Sequence, residues 1–106
     1  MGNYNKLVRD KVPGILRGSG HKVSTRTLQP NELLKALRAK LDEELGEYDA
    51  AVDDQHAVVE LVDLLEVIMA IAKRRGFGEA AVEQLRAAKA EQRGAFELGI
   101  LLIKAE

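Results

Sequence analysis

"VVELVDLLEVIMAIA", residues Val58–Ala72, decides the fold of this chain. The run is apolar on nearly every side of a helical wheel, which is typical of a central, buried helix. We predict that helix over about residues 56–75, because cations in the last turn and Gly76 just beyond it favour an end there. The run contains no Lys or Arg, yet it includes three acids: Glu60, Asp63 and Glu66. Like charges in a buried helix persist only if they are protonated or compensated by opposite charge.

Two further helices flank this run. The first is predicted over about 31–52, with Asn31 as its cap or Pro30 in its first turn. Spacings of three and four draw an apolar stripe along it, formed by Leu34, Leu37, Leu41, Leu45 and Tyr48. The last is predicted over about 79–93 and stops at Gly94. These helices predict an all-α fold.

The segments near both termini are predicted to be short and extended or irregular. Pro13 and Gly14 make a long helix unfavourable in residues 4–17, so that segment is irregular or briefly helical. "HKVSTRTL", residues 21–28, has the β-branched residues of a short strand. The apolar tail "AFELGILLIKAE", residues 95–106, either pairs with that strand as a small sheet or packs against a second subunit.

Length and composition restrict the class of protein. A chain of 106 residues is expected to form one domain over residues 1–106, and the absence of Cys excludes disulfides and thiolate metal sites. No stretch is long and apolar enough to span a bilayer, and "MGNYNKLVRD" lacks the apolar core of a signal peptide. We therefore expect a cytoplasmic protein that does not bind membranes.

Charge is strongly segregated along the chain. Residues 1–40 contain nine Lys or Arg and two acids, whereas residues 41–66 contain ten acids and no Lys or Arg. The acidic block could attract metal cations, and the basic flanks could attract a phosphorylated ligand. Because the basic residues form no sustained patch, nucleic acid is the least favoured partner.

The acids fall in two pairs at helical spacing: Glu44 with Glu47, and Glu60 with Asp63. Residues three apart share a helix face, and a short turn predicts antiparallel packing that brings the pairs face to face. Such a cluster persists if some acids are protonated or a cation binds, and hard oxygen donors suit Mg²⁺ or Mn²⁺. The alternatives are a solvated face for the first pair and ion pairs with Arg or Lys for the second. Glu66 is either a further ligand or a polar residue at a subunit boundary.

The complete pattern resembles a known superfamily. Glu44-x-x-Glu47, twelve intervening residues and Glu60-x-x-Asp63 resemble the signature of the MazG-like all-α nucleoside triphosphate pyrophosphohydrolases. That superfamily includes phosphoribosyl-ATP pyrophosphohydrolases and dimeric dUTPases. "YNKLVRDKVP" and "KAEQRGAFELGILL" look like the two ends of a small house-cleaning branch, so the resemblance covers nearly the whole chain.

The resemblance implies a helical bundle completed by oligomerisation, as a homodimer or homotetramer. It implies Mg²⁺-dependent cleavage between the α- and β-phosphates of a nucleotide substrate, with the four acids as metal ligands. A carboxylate must also accept a proton from the attacking water, and Glu47 and Glu44 are the candidates. Basic side chains should hold the phosphates, and the candidates are Lys6, Arg9, Lys89 and Arg93.

Two other functions are compatible with the sequence. Within the same class, the chain could hydrolyse phosphoribosyl-ATP in histidine biosynthesis. In a different class, it could be a non-enzymatic helical dimer that binds nucleotides or another protein, with the acids in structural ion pairs.

Overall fold

The structure, a computed structural model, describes residues 5–106. Four helices form in this range: α1 (Val12–Gly18), α2 (Pro30–Asp49), α3 (Asp54–Arg74) and α4 (Glu79–Arg93). Within residues 5–106 no β-strand is present, so the predicted all-α class is confirmed. Residues 1–4 lie outside the described part, and with them Tyr4 of the "YNKLVRDKVP" motif.

Helix α2 begins with a capping box. Gln29 is the N-cap, its side chain faces the third helical position, and its backbone N–H donates to the Glu32 carboxylate at 3.1 Å. Pro30 occupies the first turn, where its missing N–H costs nothing. Of the two predicted starts, the one with Pro30 in the first turn is therefore confirmed, and Asn31 is not the cap. The helix ends at Asp49, three residues before the predicted boundary.

Helix α3 begins two residues before its predicted start. The Asp53 carboxylate accepts a hydrogen bond from the His56 backbone N–H at 2.8 Å, which makes Asp53 the N-cap. The helix ends at Arg74, and Gly76 follows with φ 93°. That left-handed conformation favours glycine, as expected for a helix that ends there.

Helices α2 and α3 form the main packing unit. Only residues 50–53 connect them, and the two helices contact each other along their length, so they pack as an antiparallel hairpin. Leu37 of α2 and Val67 of α3 are the buried apolar residues of the hairpin. Helix α4 contacts α3, whereas α1 packs against no other described helix. The hairpin is therefore the scaffold that positions any site.

The prediction that α3 is a buried helix is wrong for the single chain. One flank is covered by α2 and a smaller part by α4, which leaves the other sides uncovered. Large apolar side chains of α3 are consequently exposed: Val58, Val59, Leu61, Val62, Leu65 and Ile68. Two neighbouring helices cannot cover every side of α3, so its apolar surface is larger than this chain alone can bury.

Of the two alternatives for the C-terminal tail, the small sheet with residues 21–28 is wrong for the described residues. Residues 21–29 and 94–106 contain no strand and do not pair. Gly94 and Gly99 have φ values of 82° and 59°, and the Gly99 N–H donates to the Phe96 carbonyl in a turn. These glycines bend the tail away from a continuous strand. The tail's large apolar side chains are 78–98% exposed.

Helix α1 confirms the expectation of a brief helix in residues 4–17, with Pro13 in its first turn. Across residues 5–106, none of the helices has both the length and the apolar character needed to cross a bilayer.

Candidate metal centre

Three of the predicted acids converge across the α2–α3 hairpin. One carboxylate oxygen from each of Glu44, Glu60 and Asp63 lies within 4.8 Å of the others. The convergence follows from the hairpin, because Glu44 stands about as far before the turn as Glu60 stands after it. Asp63 lies one helical turn beyond Glu60 on the same face. Of the four acids predicted to meet face to face, these three therefore converge.

Glu44 is the most enclosed member of the cluster, with a residue exposure of 9%. Its nearest cation is Lys40, one turn earlier on α2, whose Nζ lies 3.7 Å from a Glu44 carboxylate oxygen. The same ammonium donates a hydrogen bond to Glu43 at 3.3 Å. Lys40 is not among the residues predicted for the site, although its spacing of four from Glu44 is the signal of a helical ion pair.

Glu60 is a partly exposed carboxylate surrounded by others of like charge. Partial burial and then the negative charges of Asp63, Glu44 and Glu47 raise its pKa above the ordinary 4.5, and a hydrogen bond shared with Glu44 adds to the effect. Among the described residues, no Lys, Arg or His forms an ion pair with Glu60. Protonation of Glu60 or a bound cation would relieve this repulsion.

Glu43 shows the opposite balance at a neighbouring position. Burial raises the pKa of Glu43, but the charges of Lys40 and Lys6 together outweigh it, so the pKa lies below 4.5. The Lys6 ammonium is 3.4 Å from the Glu43 carboxylate. The acids of this hairpin therefore differ in the charges around them. Glu43 has two nearby lysines, whereas Glu60 faces carboxylates.

Asp63 has a cationic partner from a distant part of the sequence. The Arg9 guanidinium Nη2 donates to Asp63 Oδ1 at 2.6 Å. Both side chains are partly exposed, at 55% for Arg9 and 34% for Asp63. Asp63 thus forms an ion pair of the kind considered as the alternative to metal ligation. Arg9, which was predicted to bind phosphate, contacts a carboxylate instead.

Two other acids lie outside the converging group. Glu47 is exposed and is not one of the three whose oxygens meet, although its charge acts on Glu60. Three residues along an α-helix advance about 4.5 Å, so Glu47 stands nearer to the turn than the cluster does. Glu66 is exposed on α3 and also lies outside the group.

The remaining predicted phosphate-binding residues lie on α4. Lys89 and Arg93 are exposed, one turn apart, and line a shallow groove with Leu85, Ala88 and Gln92. Neither forms an ion pair with a residue in the described range. The structure therefore leaves these two cations available to a ligand, but no contact joins them to the acidic cluster.

The chemistry of the donor set is that of a hard-cation site. Three carboxylate oxygens from two helices, without His or Cys, match the ligands that Mg²⁺ and Mn²⁺ prefer. One or two carboxylates with several waters is the usual arrangement for Mg²⁺, so three acids within reach are sufficient in number. The raised pKa of Glu60 shows that the neighbouring carboxylates disfavour its charged form, which a bound cation would stabilise.

Comparison with known proteins adds a partial likeness. A protein of Mycolicibacterium smegmatis, named only as an uncharacterized protein, is 47% identical over 55 residues. Those residues are 52% of this chain and 55% of that protein, so the chain spans about half the length of the curated relative it matches. No family model and no solved structure matches the chain.

Proposed function

We propose that this chain is a Mg²⁺-dependent nucleoside triphosphate pyrophosphohydrolase of the MazG-like kind. It cleaves the α–β phosphoanhydride of a nucleotide, releases a nucleoside monophosphate and pyrophosphate, and removes surplus or noncanonical nucleotides from the cytoplasmic pool. The observation that carries the proposal is the convergence of Glu44, Glu60 and Asp63 between two helices. The motif spacing and both terminal segments support it from the sequence.

The converging acids and the neighbouring Glu47 would have different roles. Glu44, Glu60 and Asp63 would hold the ion, since their oxygens already lie within 4.8 Å of one another. When bound, Mg²⁺ supplies charge neutralisation for the polyphosphate and lowers the pKa of a coordinated water. Glu47 is the better candidate for the general base, because its exposed carboxylate lies beside the cluster and outside it. Its carboxylate oxygen would accept the proton of the attacking water.

The basic side chains complete the site. Lys6 and Arg9 lie on the N-terminal segment against the hairpin, at 3.4 and 2.6 Å from its acids. Their position beside the cluster suits them to contact phosphate oxygens of a substrate there. Lys89 and Arg93 form a second cationic pair on α4 that a folded assembly could direct to the same substrate.

Self-association is part of the proposal. A single chain exposes apolar side chains along α3 and along the C-terminal tail, which is more apolar surface than a monomer ordinarily leaves in water. A symmetric homodimer or homotetramer would cover both. Sedimentation equilibrium tests this, and a monomer at micromolar concentration would contradict it. Leu102→Glu in the exposed tail should weaken the association.

The activity is tested on a nucleotide panel with and without Mg²⁺, with phosphoribosyl-ATP included. Products are separated by ³¹P NMR, which distinguishes pyrophosphate from orthophosphate. We expect monophosphate and pyrophosphate, formed only with Mg²⁺. Turnover confined to phosphoribosyl-ATP would identify the histidine-biosynthesis alternative, and release of the γ-phosphate alone would contradict the assigned bond.

One observation favours a second candidate of a different class. Because Asp63 is paired with Arg9 and Glu44 lies 3.7 Å from Lys40, two of the three acids have cations nearby. A non-enzymatic helical dimer that binds nucleotides or a protein would need no more than such structural ion pairs. Absence of turnover on the whole panel, together with absence of Mg²⁺ binding, would identify this candidate.

A further inference from the structure

Arg9 joins two parts of the molecule that are far apart in sequence. Its guanidinium Nη2 lies 2.6 Å from Asp63 Oδ1, across a separation of 54 residues. Asp63 is one of the three converging acids. A permanent cation of the chain therefore contacts the group that is proposed to bind a metal cation.

Two ion pairs join the segment that carries Arg9 to the hairpin. Lys6 pairs with Glu43 at 3.4 Å, so two ion pairs attach residues 6–9 to the hairpin. Val8 is 43% exposed, and the following helix α1 packs against no other described helix. Ion pairs between partly exposed groups are weak and reversible. The ion pair between Arg9 and Asp63 can therefore break and re-form, although Leu7 of the same segment is half-buried.

We propose that Arg9 is an internal counter-ion that competes with a divalent cation for Asp63, and that cation binding releases Arg9 for the substrate phosphates. This inference rests on the metal site of the proposed function. It explains why Arg9, predicted to bind phosphate, is paired with Asp63, predicted to bind the metal.

Electrostatics gives the direction of the exchange. An ion held by the converging oxygens would stand close to the guanidinium, and two cations repel while they share one carboxylate. A nucleotide polyphosphate then offers Arg9 a bidentate anionic partner in place of Asp63. Without a cation, Arg9 partly neutralises the cluster. When a cation is bound, Arg9 is free to contact the substrate phosphates.

Calorimetric titration of the full chain with Mg²⁺ alone tests the competition. We expect Arg9→Gln to bind Mg²⁺ about two- to fivefold more tightly than wild type, which is the free energy of an exposed ion pair expressed as a ratio of dissociation constants. The matched control is Lys11→Gln. Lys11 has the same charge, is exposed two positions further along, and forms no ion pair in the described range. Its affinity should equal that of wild type, which excludes a general effect of net charge.

The outcomes separate this proposal from the proposed function. Mg²⁺ binding by wild type with equal or weaker binding by Arg9→Gln would overturn the competition and leave the metal site standing. Failure of every folded variant to bind Mg²⁺, with helicity verified by circular dichroism, would overturn both. An equal gain in Lys11→Gln would also overturn the competition.

Release of Arg9 is observed separately by NMR. The Arg9 side-chain Nε–H signal is identified by its absence from Arg9→Gln. We expect it to move toward the position of free arginine as Mg²⁺ saturates the protein. A signal that stays unchanged at saturation would show that the ion pair survives and would refute the release.

Discussion

Replacing Asp63 by Asn, Arg9 by Gln, and both together isolates the ion pair that connects the N-terminal segment to the acidic cluster. The single variants mix two effects. Asp63→Asn removes the pair, but it also relieves repulsion with Glu60 and Glu44, whose oxygens lie within 4.8 Å. The double-mutant cycle removes the repulsion term and leaves the interaction of Arg9 with Asp63.

The size of that interaction follows from the geometry. At the observed 2.6 Å, two unit charges in bulk water attract by about 1.6 kcal/mol. Exposures of 55% and 34% leave both groups in contact with solvent, and holding the arginine side chain still costs entropy. We therefore expect a coupling free energy of about 0.5–1 kcal/mol. For a domain of this size it corresponds to a Tm difference of about 2–8 °C.

Urea unfolding followed by circular dichroism measures the coupling, in EDTA and at one fixed protein concentration because the chain is expected to self-associate. High salt should reduce it, since exposed charges are screened. A coupling above about 2 kcal/mol would refute the reasoning, because an ion pair of that strength is structural and would not yield to a cation. A coupling of zero would equally contradict the contact.

Three further predictions concern the cluster and the hairpin. The pKa of Glu60 is raised in the folded state by burial and by the charges of Asp63, Glu44 and Glu47. Protonated Glu60 therefore contributes stability to the metal-free protein below about pH 4.5. That contribution is lost as the pH rises from about 4.5 through the raised pKa. Glu60→Gln should abolish this loss, and identical urea midpoints for both proteins from pH 4 to 8 would contradict it. Glu44→Gln should lower Mg²⁺ affinity at least tenfold by calorimetry, because its buried carboxylate is the most enclosed of the three; unchanged affinity would remove it from the site. Leu37→Ala should lower the free energy of unfolding by about 2–5 kcal/mol, whereas Leu45→Ala, half exposed, should cost less; equal losses would contradict the assigned core.

The hairpin and the last helix were accessible to sequence reasoning because their signals are local. Spacings of three and four place the acids on faces that meet, and the predicted bounds of α4, 79–93, are those observed. The start of α3 was predicted less well. Asp53 and Asp54 are both suitable caps, and only the hydrogen bond to His56 distinguishes them.

The features that sequence reasoning missed depend on distant contacts or on counting neighbours. The Arg9–Asp63 pair spans 54 residues and has no periodic signal. Burial of α3 was overestimated because an apolar sequence indicates which surface is better buried, whereas the number of packing partners decides how much is buried. This chain has too few helices to cover α3 on every side. The expected strand at 21–28 rested on β-branched residues alone, and β-propensity is decided by pairing partners that are absent from the described residues.

A crystal of the protein grown or soaked with Mn²⁺ provides the most direct test of the central claim, because manganese is located by its anomalous scattering. The account predicts a peak within coordination distance of the carboxylate oxygens of Glu44, Glu60 and Asp63, with the Arg9 guanidinium displaced from Asp63. A map with no peak between α2 and α3 at millimolar Mn²⁺, and with Arg9 still on Asp63, would contradict it.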